Sequence, residues 1–235
     1  MATRLYFPLT EAAPVTTIGF ESVWTYTSEA LRRKLNNVKG SSAITIGTQV
    51  GPWTPGQLAL DRQFVSTRMD AGIIFTSGVT TFSGQLMVRE YAAGDNVANW
   101  LMGVRIVSEN GTTVRATIRA ATSNFQNAEF INNATHRNQS LDLAGGAITT
   151  TGSYTTVLGD RLVVEIGYAD TAGASPEASA KWGENATDLP VNNTQTTDGA
   201  GWIEFSNTIT FAGEVSPPVS KNIFVKQAMH RAANY

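Results

Sequence analysis

A chain of 235 residues with 42% hydrophobic and 15% charged residues has the length and apolar content for one sizeable core, with arms or loops to spare. Its formal net charge of −2, with 17 basic residues dispersed apart from Arg32, Arg33 and Lys34, excludes the concentrated basic surface that phosphate-backbone binding needs. The lack of cysteine excludes disulfides, thiolate metal sites and cysteine nucleophiles, and no run approaches the roughly 20 apolar residues of a membrane-spanning helix. Neither nucleic acid nor membrane is therefore an expected partner.

Taken in chain order, Met1 to Thr10 has one arginine and no apolar run of signal-peptide length, so synthesis and retention in a cytoplasm are expected. Residues 1–20 read as an N-terminal arm and first strand, apolar at Leu5, Tyr6, Phe7 and Pro8. Strand candidates follow at 42–49, 63–67, 72–75 and 80–90. Residues 100–107 and 112–120 form the clearest strand pair, and Asn110-Gly111 between them predicts a tight type I′ hairpin. In its second strand Val114, Ala116 and Ile118 alternate with Arg115, Thr117 and Arg119, which predicts one buried and one wet face. Asn- and Thr-rich stretches at 124–139, 145–156 and 169–201 read as loops, the last being long enough to carry a binding role. Between them, residues 161–168 are apolar and β-branched enough for a central strand. Residues 202–211 alternate again, with Trp202, Phe205, Ile209 and Phe211 as core members once a bulge is allowed.

After Phe211, Gly213, Pro217 and Pro218 break the strand pattern. Residues 212–235 read as a C-terminal arm, in which Phe224, Ala228 and Ala232 share one helical face beside Val225 and Met229. That face is too small to fold alone. The predicted organisation is an arm over 1–20, an all-β sandwich over 21–211 and a second arm over 212–235. Frequent turns and a surface of Thr, Ser, Asn and Gly suit that class.

Residues with chemistry are scattered. His136 sits in an Asn-rich loop and His230 near the C-terminus, neither in a triad or metal-ligand motif, and both read as surface imidazoles. Glu165, Glu204, Asp160 and Asp188 could supply the two carboxylates of a glycosidase only by type. The first two alternate with core residues and belong on outer strand faces; Asp160 after Gly159 reads as a turn residue. Asp142, Asp160 and Asp188 could contribute to a loop calcium site, but no EF-hand spacing is present. No catalytic residue, metal site or cofactor is predicted. Of five tryptophans, Trp24, Trp100 and Trp202 read as core, whereas Trp53 and Trp182 read as loop residues that could stack on a sugar or pin their loops.

Several segments together resemble a set of small tailed-phage virion proteins. They are Arg4-Leu5-Tyr6-Phe7-Pro8, then Trp24 followed by Arg32-Arg33, then the run from Val104 through Asn110-Gly111 to Arg115, then Gly159-Asp160 through Tyr168, and Trp202-Ile203-Glu204-Phe205-Ser206. The resemblance spans residues 4 to about 211. It implies an antiparallel jelly-roll-like β-sandwich mounted on the capsid, neck or tail as a decoration or accessory component, and brings no catalytic residues. On this reading the chain is a non-enzymatic structural protein of the virion, made in the host cytoplasm, forming a homo-oligomer and contacting other virion proteins. The expected assembly contacts are Leu5, Tyr6 and Phe7 in one arm and Ile223, Phe224, Val225 and Met229 in the other. The alternative is an adhesin or carbohydrate-binding module whose Trp53, Trp182 and 169–201 loop contact host glycans.

Overall fold

The computed structural model describes residues 1–92, 95–124, 130, 135–142, 145–170 and 175–213. Among these, fourteen strands and one short 3-10 turn occur: β1 (Thr3–Tyr6), β2 (Leu31–Leu35), β3 (Thr45–Ile46), β4 (Leu58–Arg68), β5 (Ile74–Phe75), β6 (Thr81–Glu90), β7 (Val97–Val107), β8 (Val114–Arg119), β9 (Arg137–Ser140), β10 (Ile148–Thr149), β11 (Tyr154–Thr155), β12 (Arg161–Asp170), β13 (Ala178–Trp182) and β14 (Trp202–Phe205). The chain is an all-β sandwich, as its sequence predicts.

One sheet runs β2-β4-β12-β7-β8, antiparallel except for the parallel β2–β4 pair. The other is organised around β6. β14 and β13 pair with successive halves of one edge of β6, while β10 and β9 serve the opposite edge, and β1 and β3 close the outer positions. Between the sheets lies the main core. Trp100, Met102, Val104 and Ile106 of β7 and Leu162, Val164, Ile166 and Tyr168 of β12 face Phe82, Leu86 and Val88 of β6 and Ile203 and Phe205 of β14. Period-two alternation of large apolar residues builds this layer. Gly84 on β6 leaves the space that the Trp100 indole fills, since a Cβ there would lie 2.9 Å from the ring.

Strand β12 is buried along nearly its whole length, so its alternate residues also face an interior. The chain from Ala13 to Trp24 is laid over the outer face of the five-stranded sheet as a strap. Val15 and Ile18 pack on Val65, Val107 and Val163, and Phe20, Val23 and Trp24 on Leu60, Leu101 and Ala169. Gly167 is one of the points where the strap lies close. A Cβ there would meet the Ala59 carbonyl at 2.1 Å and the Trp24 ring at 2.6 Å. Beneath the strap Glu165, wholly buried, pairs with Arg105 and accepts from Trp24 Nε1 at 2.9 Å, Gln63 Nε2 at 2.8 Å and the Glu21 amide at 3.1 Å. Glu165 does lie on the outer face of its strand, but that face is covered.

Four local expectations are corrected. The 108–111 turn is not type I′: Asn96 is the only non-glycine with positive φ among the described residues, so Asn110 stays in ordinary space while Gly111 alone takes φ 73°. A Gly111 amide bond to the Ser108 carbonyl at 2.8 Å and a Ser108 amide bond to Thr113 at 2.8 Å make the connection one step longer. Strand β14 stops at Phe205, and Trp202 faces away from the main core, against Met87 and Leu189 under the 187–200 segment. A strand, β13, stands inside the stretch read as one long loop. Residues 3–6 form β1, paired with β14 from Thr3↔Phe205 to Tyr6↔Trp202, so the N-terminus is part of the sandwich and not a separate arm.

Replacing Glu165 by Ala leaves the Trp24 indole N–H buried without its acceptor and the Arg105 guanidinium without its carboxylate, the Gly19 carbonyl still accepting from it. The expected cost is about 3–5 kcal/mol in a urea unfolding curve, and less for Glu165→Gln, which keeps one acceptor. An unchanged midpoint for the alanine variant would contradict this account of the strap.

Candidate functional site

At one end of the sandwich, the turn after β7 and the turn before β12 enclose a groove of about 600 Å³ lined by Glu109, Asn110, Arg115, Val157, Leu158 and Arg161, among others. Its shape comes from Asp160. That carboxylate, 1% exposed, accepts from the Tyr154 hydroxyl at 2.9 Å and the Val157 amide at 3.0 Å, and the Arg115 guanidinium stands 3.7 Å away. Burial and this neighbouring carboxylate push the Tyr154 hydroxyl pKa up. With Gly159 at φ 96° and the Asp160 amide donating to Val157, the turn is closed tightly from within. Its inner positions are thus occupied by polar bonds, which leaves Val157 and Leu158 pointing out, 50% and 60% exposed.

The opposite wall is charged and braced. Arg161 Nε donates to the Glu109 carbonyl at 2.8 Å, and Arg68 Nε stands 3.1 Å from the Glu109 carboxylate. Of the residues that line it, Val157 and Leu158 are large, apolar and exposed; Val114, Ile74 and Val79 are exposed outside that lining. Val114 was expected on a buried strand face; shifts in the β7–β8 register at Val104/Arg105 and Ile106/Val107 break the simple alternation.

The residues predicted from sequence are placed elsewhere. Leu5 and Phe7 are wholly buried in the chain's own core, and Tyr6 is half-buried with its hydroxyl donating to Asp188 at 3.2 Å. None of the three forms an outward apolar contact surface, because β1 needs them to close the sheet. Ile223, Phe224, Val225 and Met229 lie outside the described residues. Trp53, 3% exposed, stacks on Tyr168 at 6.4 Å and donates to Asp170 at 3.2 Å. Trp182, 1% exposed, packs with Phe64 at 5.3 Å and under the Arg62 guanidinium at 4.7 Å. Both indoles are interior, so neither offers a platform to a sugar; Trp182 is a strand residue whose neighbours Lys181 and Gly183 hid its alternation.

The carboxylates also have structural partners. Asp188 is held by Lys39 and by Arg4 at 2.7 Å, which draw its pKa down although its partial burial opposes them, and Glu204 is held by Arg4 at 3.0 Å. With Glu165 under the strap and Asp160 inside its turn, the four are not gathered across one cleft. Asp61 accepts from the Tyr168 hydroxyl at 2.6 Å within the core, where burial holds its pKa up. Among the described residues no three His, Asp or Glu side chains are grouped as metal ligands.

Fold and groove together define a β-sandwich with a groove between two turns at one end. No family model and no curated protein matches the sequence. Among solved structures, the chain is similar to a CocE/NonD family hydrolase from Staphylococcus aureus with TM-score 0.37 and 12% identity, over 87% of this chain and 36% of that one. It is similar to a chain of infectious bursal disease virus Gt strain with TM-score 0.22 and 13% identity, over 83% and 49%. For the VP2 protein of the same virus the values are 0.21 and 12%, over 93% and 53%. The chain spans about a third of the hydrolase and about half of the viral chains. Likenesses this distant carry no argument about function.

His136 was read as a surface residue and is instead buried, its Nε2 2.9 Å from the Ser179 hydroxyl. Burial first, then the charges of Arg89 and Lys181, lower its pKa from 6.5 to about 4. A histidine depressed in the folded state binds fewer protons there than when unfolded. Its stability contribution is therefore complete above pH 6.5 and is lost as pH falls toward 4. The loss amounts to about 3 kcal/mol. Unfolding free energies across this window should show that slope in the wild type and a shallower one in His136→Gln; equal slopes would contradict the assignment.

Proposed function

We propose that the chain is a non-enzymatic structural protein of a tailed-phage particle, a β-sandwich that docks on the capsid, neck or tail through the groove between its 108–111 and 157–160 turns. The observation that carries this reading is the groove itself, where exposed Val157 and Leu158 stand beside the charged side chains of Glu109, Arg115 and Arg161. Supporting it, the buried titratable groups hold the fold together. Glu165, Asp160 and Asp61 each accept bonds from neighbouring strands or turns. The sequence resemblance to small virion proteins points the same way, and its implied setting is a particle assembled in a host cytoplasm. Partners on this reading are other virion proteins and further copies of the chain.

Purified protein mixed with particles lacking it should co-sediment with them and saturate at a copy number set by the particle's symmetry. Failure to bind at any concentration would contradict the proposal.

A further inference from the structure

The strand edges of the sandwich are not closed alike. Outside β2, the Lys34 amide donates to the Glu11 carbonyl at 3.0 Å and Ala12 bridges Arg33. Outside β8, the Thr151 and Gly152 amides both donate to the Ile118 carbonyl. Asn36 exchanges backbone bonds with Tyr6 at the end of β1, and Gln195 and Asn193 accept from the Asn138 and Ser140 amides of β9. β3 differs. It ends its sheet, no strand among the described residues pairs with its free side, and Ala43, Thr45, Ile46 and Thr48 are exposed along it.

Ile46 lies opposite Lys181 and Thr45 opposite Trp182, and the Gly47 amide donates to the Ala180 carbonyl at 2.8 Å. Antiparallel ladders alternate, so Thr45 and Gly47 direct their backbone groups to β13 while those of Ile44 and Ile46 turn outward. Among the described residues, no backbone hydrogen bond from the surrounding loops reaches Ile44 or Ile46. A Cβ at Gly47 would meet Trp182 Nε1 at 2.5 Å, so the segment is pressed against the body at that point. A row of unpaired N–H and C=O groups on an extended segment is a template for another strand, and proteins ordinarily block it with charge, proline or a covering loop. Here Ile44, Thr45 and Ile46 are all β-branched, and no charged residue occurs from Gly40 to Leu60.

That neutrality favours a second copy as the partner. Around a twofold axis an antiparallel strand meets itself, so a charged edge would bring like charges together. This edge brings none. With Thr45 on the axis, the outward groups of Ile44 in one copy meet those of Ile46 in the other, and each such pair exchanges both N–H···O bonds. Thr45 then faces its own counterpart as a non-hydrogen-bonded pair, with Cα atoms about 4.5 Å apart. Side chains alternate along a strand, so Ile44 and Ile46 of both copies gather on one face of the joined sheet.

We propose that β3 is a self-association edge through which two copies join their seven-stranded sheets into one continuous antiparallel sheet. The inference goes beyond the assembly reading and uses no residue of the groove. A contact this short belongs with weak, concentration-dependent interfaces, and a particle surface that holds copies side by side raises their effective concentration.

The test is the mass of the full chain by sedimentation equilibrium at concentrations up to about 1 mM, enough to populate a dimer of millimolar Kd. Thr45→Lys and Thr45→Glu each set like charges against one another on the axis, at an exposed position. The wild type is expected to rise from the mass of one chain toward two with concentration. Each variant alone should keep the mass of one chain, and their equimolar mixture should regain the dimer, because lysine then faces glutamate. Should either variant fail to fold, Ile46→Pro takes its place and should remain monomeric, since it removes an outward N–H that folding does not use. A wild type that stays at the mass of one chain, a dimer that survives in both charge variants, or a mixture that stays monomeric would each overturn the proposal. A monomeric wild type that still co-sediments with particles would do so while leaving the assembly reading intact.

Discussion

A carboxylate with no exposure to water stands in the middle of β12, on the face turned away from the main core. Left alone, Glu165 would cost several kcal/mol in desolvation. It is tolerated because Arg105 and Gln63 reach it from the neighbouring strands and Trp24 and the Glu21 amide reach it from above. The last two donors belong to the strap, whose Gly19 carbonyl also accepts from Arg105 and Gln63. Their bonds fix the strap in register, and the strap then buries Val15, Ile18, Phe20 and Val23 on a face that an open sandwich would leave wet. The result is a three-layered body whose central strand is interior on both sides. Its cost is local: Glu21 Oε2 is buried without a hydrogen bond, and burial and the Glu165 charge raise the Glu21 pKa.

The same logic, a buried carboxylate holding a segment in place, recurs at the end of the molecule with the opposite effect. Under the strap the acceptor draws apolar residues in. At Asp160 the carboxylate fills the inside of a short turn with polar bonds, so the turn's apolar residues are pushed out. Val157 and Leu158 are exposed because of how the turn is closed, and a groove with charged walls and an apolar rim is the consequence.

Much of the architecture was legible in the sequence where a run is apolar and β-branched for long enough. Residues 80–90, 100–107 and 161–168 are of this kind, and each falls in a long strand. Legibility failed where the second face is covered by something distant in sequence. Nothing near Glu165 announces a strap 141 residues away from it through Trp24. Trp182 looked like a loop residue because Lys181 and Gly183 beside it break the apolar pattern, yet its strand pairs with β6 through four residues. His136 was hidden for the same reason, its partner Ser179 lying 43 residues on. The groove was invisible because it is an outcome of turn geometry: Val157-Leu158 in sequence is an ordinary apolar pair, and only the Asp160 bonds decide which way it faces.

The central claim is that this end of the sandwich is a protein contact surface. Electron cryomicroscopy of the assembled particle tests it most directly, by tracing what lies against Leu158 and Val157. The account predicts density from another polypeptide filling the groove between the two turns, with the strap and the β6 sheet facing elsewhere. A groove open to solvent in the assembled particle, with the chain held by another face, would contradict it.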